Sequence, residues 1–230
     1  MREGPTHDEP VKAQLRSASG RSSKVIKDRQ AVVLLGAMLL ALALVVLASA
    51  VAPKKADAAT QIVSKTFNKP EQLLIPAGAN VSDCDSGPTQ GVTEPYPSQR
   101  SIQAFPAGST ISDVNLVLRD YTHSFPDDVG VLLSKGGRNR LVMDNVGGPF
   151  GVNDINLTLN DEAATHLPND EQLVSGSFKP TNPFNATASL SGFDGLSPNG
   201  TWNMRVADKS KGDCGEFGDG WSLIIRARVH

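Results

Sequence analysis

Residues 105–148 read FPAGSTISDVNLVLRDYTHSFPDDVGVLLSKGGRNRLVMDNVGG, and their pattern indicates the fold class. Within it Val114, Leu116 and Leu118 alternate with Asn115 and Val117. A period of two residues places one set of side chains inward and the other outward, as in an antiparallel strand. The stretch also holds two further strand candidates, Val129–Ser134 and Arg140–Met143. A glycine-rich turn follows each of them, at 135–137 and at 146–149.

The same alternation recurs downstream and indicates an all-β protein. The clearest further strand candidates are 155–159, 202–206 and 221–229, and shorter ones are Ile62–Phe67, Gln72–Ile75 and Ser101–Phe105. With 21 Gly and 15 Pro among 230 residues, the chain has many turns, which argues against a helical bundle. We expect a jelly-roll-like β-sandwich or barrel of about 150 residues. One hydrophobic helix is expected to precede it.

That helix is predicted from the uncharged run AVVLLGAMLLALALVVLASAVA at residues 31–52. Its 22 residues would span about 33 Å as a helix, enough to cross a bilayer core. Residues 1–30 carry seven Lys or Arg against four Asp or Glu, so the positive-inside rule places this basic tail in the cytoplasm. Two interpretations stay open: a transmembrane signal anchor, or a signal peptide cleaved near Ala50.

Either interpretation places the rest of the chain outside the cytoplasm, as a single-pass membrane protein or a secreted one. The expected organisation is a tail at 1–30, the apolar segment at 31–52, a linker at 53–69 and a β-domain at 70–230. Disulfides persist in such a compartment, so Cys84 and Cys214 are expected to pair, the alternative being two free thiols. The net charge of -2 offers no electrostatic argument for nucleic-acid binding.

Several motifs of the β-region resemble those of a known family. They are Ile111-Ser112-Asp113-Val114, Thr122-His123-Ser124 followed by Asp128-Val129, Asn153-Asp154, 198–202, 215–217 and 220–223. In this order they resemble the P domain (Homo B domain) of subtilisin-like proprotein convertases, in a standalone bacterial-type version. The resemblance covers about residues 70–230 and implies a jelly-roll-like barrel of the galactose-binding-like type. It also implies an association with serine endopeptidases, although no subtilisin-type catalytic motif is present in this sequence.

No residue is predicted to be catalytic. His123, Ser124 and Asp128 resemble members of a triad by type, but neighbouring residues of a strand point their side chains apart. His123 is instead expected to be structural. Trp202 and Trp221 occupy the inward phase of their strands and are expected in the core.

Calcium is the one candidate cofactor, with Asp127, Asp128 and Asp154 as candidate ligands, because Ca²⁺ prefers carboxylate and carbonyl oxygens. The alternative for these residues is ordinary turn chemistry.

The leading functional hypothesis is a non-catalytic extracytoplasmic module that binds a protein partner, such as a protease or a cell-envelope component. Two alternatives stay open: a module that binds carbohydrate or a cell-surface polymer, and an accessory subunit of a separately encoded protease. The first alternative rests on the use of jelly rolls as lectin-like domains.

Overall fold

The computed structural model describes residues 59–181 and 188–230, in which the chain forms twelve strands and three short 3-10 helices. In chain order the strands are β1 (Gln61–Lys69), β2 (Leu73–Ile75), β3 (Gly91–Val92), β4 (Ser98–Ile102), β5 (Thr110–His123), β6 (Val129–Lys135), β7 (Arg138–Met143), β8 (Val152–Leu159), β9 (Gly176–Phe178), β10 (Gly200–Asp208), β11 (Gly215–Phe217) and β12 (Trp221–Val229). The 3-10 helices are Cys84–Ser86, Pro126–Asp128 and Leu190–Phe193.

The strands form two sheets. The seven-stranded sheet has the order β1-β12-β5-β11-β2, with β8 paired to β5 and β9 paired to β8. The five-stranded sheet has the order β3-β10-β6-β7, with β4 also paired to β10. All of these strand pairs are antiparallel except β8 with β9.

The 14-residue strand β5 is the centre of the larger sheet, because β12 and β11 pair along one edge and β8 along the other. Leu116 lies opposite Leu223 of β12 and Leu159 of β8, and all three side chains are fully buried. The side chains of Val114, Leu116 and Leu118 therefore lie on the inner face of the larger sheet, as their alternation in the sequence predicts.

Buried side chains from both sheets form one hydrophobic core, which includes Trp221 of β12 and Trp202 of β10. The prediction of an all-β sandwich is thereby confirmed. The described part of the chain contains no helix long and apolar enough to cross a membrane. The helix expected at residues 31–52 lies outside the described residues.

The structure differs from the sequence-based expectations at three places. Residues 61–69, which include the strand predicted at Ile62–Phe67, form edge strand β1 with nine register pairs to β12, so the sheet begins before residue 70, within the range expected as a linker. The strand expected at 101–105 runs instead from Ser98 to Ile102. Strands β3, β9 and β11 have only two or three residues, too few to display a period.

Candidate functional site

His123 ends strand β5 inside the protein rather than at a surface cleft. Its side chain and that of Asp208, the last residue of β10, are both fully shielded from solvent. The His123 Nε2 atom lies 3.3 Å from Asp208 Oδ2. The Phe125 backbone N–H donates to His123 Nδ1 at 3.1 Å, so the ring proton sits on Nε2 and faces the carboxylate.

Tyr121 completes this buried polar group, two residues before His123 on the same side of β5. Its ring centroid lies 6.3 Å from that of His123 and 4.9 Å from that of Phe217. Among the described residues, Tyr121 Oη, His123 Nε2 and Asp208 Oδ2 have no aligned hydrogen-bond partner. Burial raises the pKa of the Tyr121 hydroxyl well above 10, and the nearby Asp208 and Asp128 charges raise it further.

The two neighbours His123 and Ser124 point in different directions, as alternation along a strand requires. Ser124 Oγ donates to Asp213 Oδ1 at 2.9 Å and accepts the Cys214 backbone N–H at 3.1 Å. In the described part of the chain, no hydrogen bond joins the His123 ring to Ser124 or Asp128. The arrangement ties the loop before β11 to the end of β5 and leaves the imidazole without access to a substrate in this conformation.

A disulfide joins Cys84 and Cys214, which confirms the predicted pairing. The Cα atoms are 5.5 Å apart and the two residues are separated by 130 positions in sequence. The bridge attaches the 3-10 helix at Cys84–Ser86 to the start of β11. Gly215 follows the second cysteine, and a Cβ there would collide with the Thr122 carbonyl oxygen, so glycine allows β11 to approach β5.

The structure separates the calcium candidates into two environments. Asp127 and Asp128 lie in the 3-10 helix after β5, whereas Asp154 lies in β8, where its backbone N–H donates to Thr122 Oγ1 at 3.0 Å. Burial raises the pKa of the Asp127 carboxyl, Lys209 opposes this, and repulsion by Asp128 adds to it. Among residues 59–181 and 188–230, no group of three or more His, Cys, Asp or Glu is arranged to hold a metal ion. Calcium binding therefore stays a prediction, and thermal melts with calcium and with chelator would test it.

Both tryptophans lie in the core with no exposed surface. The indole N–H of Trp221 donates to Ser98 Oγ at 2.9 Å, and that of Trp202 donates to the Pro198 carbonyl at 3.3 Å. Neither ring is available as a stacking platform for a sugar.

The outer side of the smaller sheet carries a hollow of about 260 Å³. We call this surface the Tyr96 face; it is built around Tyr96, Leu132, Leu141 and Arg205. Leu132 of β6 and Leu141 of β7 are register partners, and both are only half-buried. Tyr96 is 48% exposed, and the Arg205 guanidinium lies 5.9 Å from the centre of its ring.

Two features keep the Tyr96 face open. Gly130 has no side chain to fill the hollow, and a Cβ there would lie 3.2 Å from Asp144 Oδ1. At one rim Lys209 forms a 2.8 Å salt bridge with Asp144. An aromatic ring, two aliphatic side chains and a guanidinium, with an ion pair at the rim, suit the burial of a protein surface.

Asp208 and the Tyr96 face are absent from the sequence-based predictions, although each leaves a signal in the alternation of its strand. Asp208 continues the inward phase of Trp202, Met204 and Val206, which marks a polar side chain directed into the core. Leu132 is an apolar residue on the outward phase of β6, between buried Val131 and Leu133. Tyr96 lies outside the strands and carries no periodic signal.

The resemblance to P domains rests on the motifs alone. Comparison of the chain with protein-family models, with curated proteins and with solved structures found no match.

Proposed function

We propose that this protein is a non-catalytic, extracytoplasmic module of the P-domain type that binds a protein partner through the Tyr96 face. The partner is a protease or another component of the cell envelope. Support for the location comes from the Cys84–Cys214 disulfide, because such bonds persist in oxidising compartments and are rare in the cytosol. The uncharged segment at residues 31–52 is consistent with export or membrane anchoring.

The Tyr96 face is the observation that carries the proposal. Interface hot spots are enriched in Tyr and Arg that lie near the centre of a desolvated patch. Here the exposed Tyr96 ring and the Arg205 guanidinium stand beside the half-buried pair Leu132 and Leu141. A partner that inserts an apolar side chain into the hollow would bury all four residues, and a partner carboxylate would reach the guanidinium.

The experiment compares partner binding by variants of the Tyr96 face with binding by a variant of an exposed aromatic residue elsewhere on the surface. The tagged full chain is cross-linked in its source cells, and the captured protein is identified by mass spectrometry and then purified for titration. Tyr96→Ala and Arg205→Ala should each weaken its binding about thirtyfold, the loss of about 2 kcal/mol typical of a hot spot. Phe150→Ala is the matched control, because Phe150 is 46% exposed but lies outside the Tyr96 face.

Equal binding by the Tyr96→Ala variant and the control would overturn the assignment of this face. If the captured protein is a subtilisin-like protease, the protein is an accessory subunit acting in trans. Capture of an envelope protein would favour the surface-module form of the proposal.

The non-catalytic part of the proposal is tested separately with peptide substrates. The purified full chain should hydrolyse none of a panel of peptides, and His123→Ala should change nothing in that assay. Turnover that disappears in the His123→Ala variant would contradict the proposal.

The site of attachment is tested by N-terminal sequencing of the exported protein. A mature chain that starts near Val51 is secreted, whereas retention of residues 1–30 identifies a single-pass anchor.

A further inference from the structure

The outer side of the larger sheet has a second hollow, of about 380 Å³, on the opposite sheet from the Tyr96 face. We call it the polar hollow; its main lining residues are Asp113, Asn115, Asn160, Glu162, Arg226 and Arg228. Its size falls within the range of small-molecule sites.

A β-bulge lies at the edge of the hollow. Strand β5 pairs with β12 through Asp113 with Arg226 and then through Ile111 with Ala227, so Ser112 is an extra residue on β5. The Ser112 hydroxyl donates to the Arg226 carbonyl oxygen at 3.2 Å. Bulges bend the strand and redirect side chains, and many of them lie beside binding sites.

The polar hollow is lined by equal numbers of positively and negatively charged side chains. Two guanidiniums, of Arg226 and Arg228, face two carboxylates, of Asp113 and Glu162. The salt bridges among the described residues involve neither arginine. Burial raises the pKa of the Asp113 carboxyl, and repulsion by Glu162 raises it further while Arg226 opposes the rise.

One residue that lines the polar hollow carries an unpaired acceptor. Asn115 Oδ1 is buried and has no hydrogen-bond partner among the described residues. Buried carbonyl oxygens are almost always paired, so this atom is an exception among the buried groups beside the hollow. The carboxylates of Asp113 and Glu162 likewise accept, whereas the guanidiniums donate.

This mixture of groups selects the ligand class. A metal ion would need more oxygen ligands than two carboxylates, and the described residues hold no metal-binding group of three. A phosphate or sulfate would meet Asp113 and Glu162 as like charges. Ile62 at the rim, 50% exposed, is the one apolar side chain among the lining residues.

We propose that the polar hollow binds a neutral saccharide, one or two hexose units of a cell-surface glycan. Sugar hydroxyls both donate and accept, so they match the carboxylates and the two guanidiniums at once. The exposed face of Ile62 contacts the C–H side of a sugar ring. The inference does not depend on the Tyr96 face, because the two surfaces lie on different sheets.

The experiment uses the full chain purified in lauryldimethylamine oxide, since detergents with sugar headgroups would compete. A glycan array with neutral and acidic glycans comes first. Saturation-transfer NMR then titrates the methyl glycosides of glucose, galactose and mannose, with glucuronic acid and inorganic phosphate as charged probes.

We expect saturable binding of at least one neutral glycoside, weakened at least tenfold by Asn115→Ala and by Glu162→Gln. Asn203→Ala is the matched control and should stay within twofold of the wild type, since Asn203 points outward from β10 on the other sheet. Glu162 is exposed in a loop, so its variant keeps the test valid if Asn115→Ala does not fold. Binding of only the charged probes, binding unchanged in both hollow variants, or no binding of neutral glycans would each overturn the proposal.

Discussion

The two ends of strand β10 bury polar groups in opposite ways. At its start, Trp202 donates to the Pro198 carbonyl at 3.3 Å, and Lys135 Nζ donates to the Asn199 carbonyl at 2.6 Å while lying 5.1 Å from the Trp202 ring centre. At its end, Asp208 Oδ2 and His123 Nε2 are 3.3 Å apart without an aligned hydrogen bond.

The difference shows which forces hold each end. The Trp202 end combines a large packed ring with satisfied donors, so packing stabilises it. At the Asp208 end, each unsatisfied buried group costs about 1–3 kcal/mol, so other interactions must hold the strands together. The disulfide reaches this end, because Cys84 Sγ lies 4.0 Å from Ser124 Oγ, next to His123.

Removing the disulfide should have the largest effect. The double variant Cys84→Ser/Cys214→Ser releases a loop closed over 130 residues, which on the chain-entropy model lowers the free energy of unfolding by about 5 kcal/mol. Urea denaturation followed by tryptophan fluorescence measures the loss. The unreduced wild type is the reference, and the wild type treated with dithiothreitol should match the variant. An unchanged midpoint after reduction would show that the Asp208 end is held without the bridge.

Trp202→Ala should come next, with a loss of about 4 kcal/mol. The substitution leaves a cavity beside Phe193, whose ring packs edge-on at 5.1 Å, and removes the ring above Lys135. Urea denaturation again measures the loss. Trp202→Phe is the control and should lose less, because it keeps most of the packing. A loss below about 1 kcal/mol in the alanine variant would contradict the role of packing at this end.

A double-mutant cycle examines the Asp208 end directly. His123→Leu and Asp208→Leu should each cost about 3 kcal/mol, because each removes the electrostatic neighbour, 3.3 Å away, of a polar group that stays buried. The free energy of unfolding lost by the double variant should be well below the sum of the two single losses, because two leucines fill the space without leaving a polar group buried alone. Strict additivity of the three measured free energies would mean that His123 and Asp208 do not interact.

Lys135→Met should have the smallest effect, below about 1.5 kcal/mol at neutral pH. Burial lowers the pKa of the Lys135 ammonium from its ordinary 10.5, so the unfolded chain holds this proton more tightly than the folded one. Between the folded-state pKa and 10.5 the lysine therefore adds stability as the pH rises. The free energy of unfolding of the wild type, relative to that of the Lys135→Met variant, should increase from pH 7 to pH 10.

Chemical denaturation at both pH values measures that difference. Lys211→Met is the control, because Lys211 is exposed. A pH-independent difference for Lys135→Met would place its ammonium in a solvated environment.

Much of the fold could be predicted from the sequence, because burial on one face of a strand imposes a period of two. The inward phases of β5, β8, β10 and β12 follow from single-strand patterns, and the tryptophans lie where those phases place them. Strand β1 was harder to place: only Phe67 of its nine residues is buried, so its membership of the sheet depends on pairing with β12.

The candidate sites could be predicted less well. Outward positions carry no hydrophobic signal. The sequence pattern of either strand therefore does not predict that Arg226 of β12 and Asn115 of β5 are neighbours. The register between β5 and β12 sets that neighbourhood, and register is a property of the pairing between two strands rather than of either one.

The inward-facing side of each long strand can be predicted from the sequence, and so can the disulfide, because the chain has two cysteines. The approach of Asp208 to His123 and the position of the Arg205 guanidinium over the Tyr96 ring follow only from the folded arrangement of the strands. The physical reason is that periodicity is local, whereas a partner across a sheet is chosen by strand order, register and bulges.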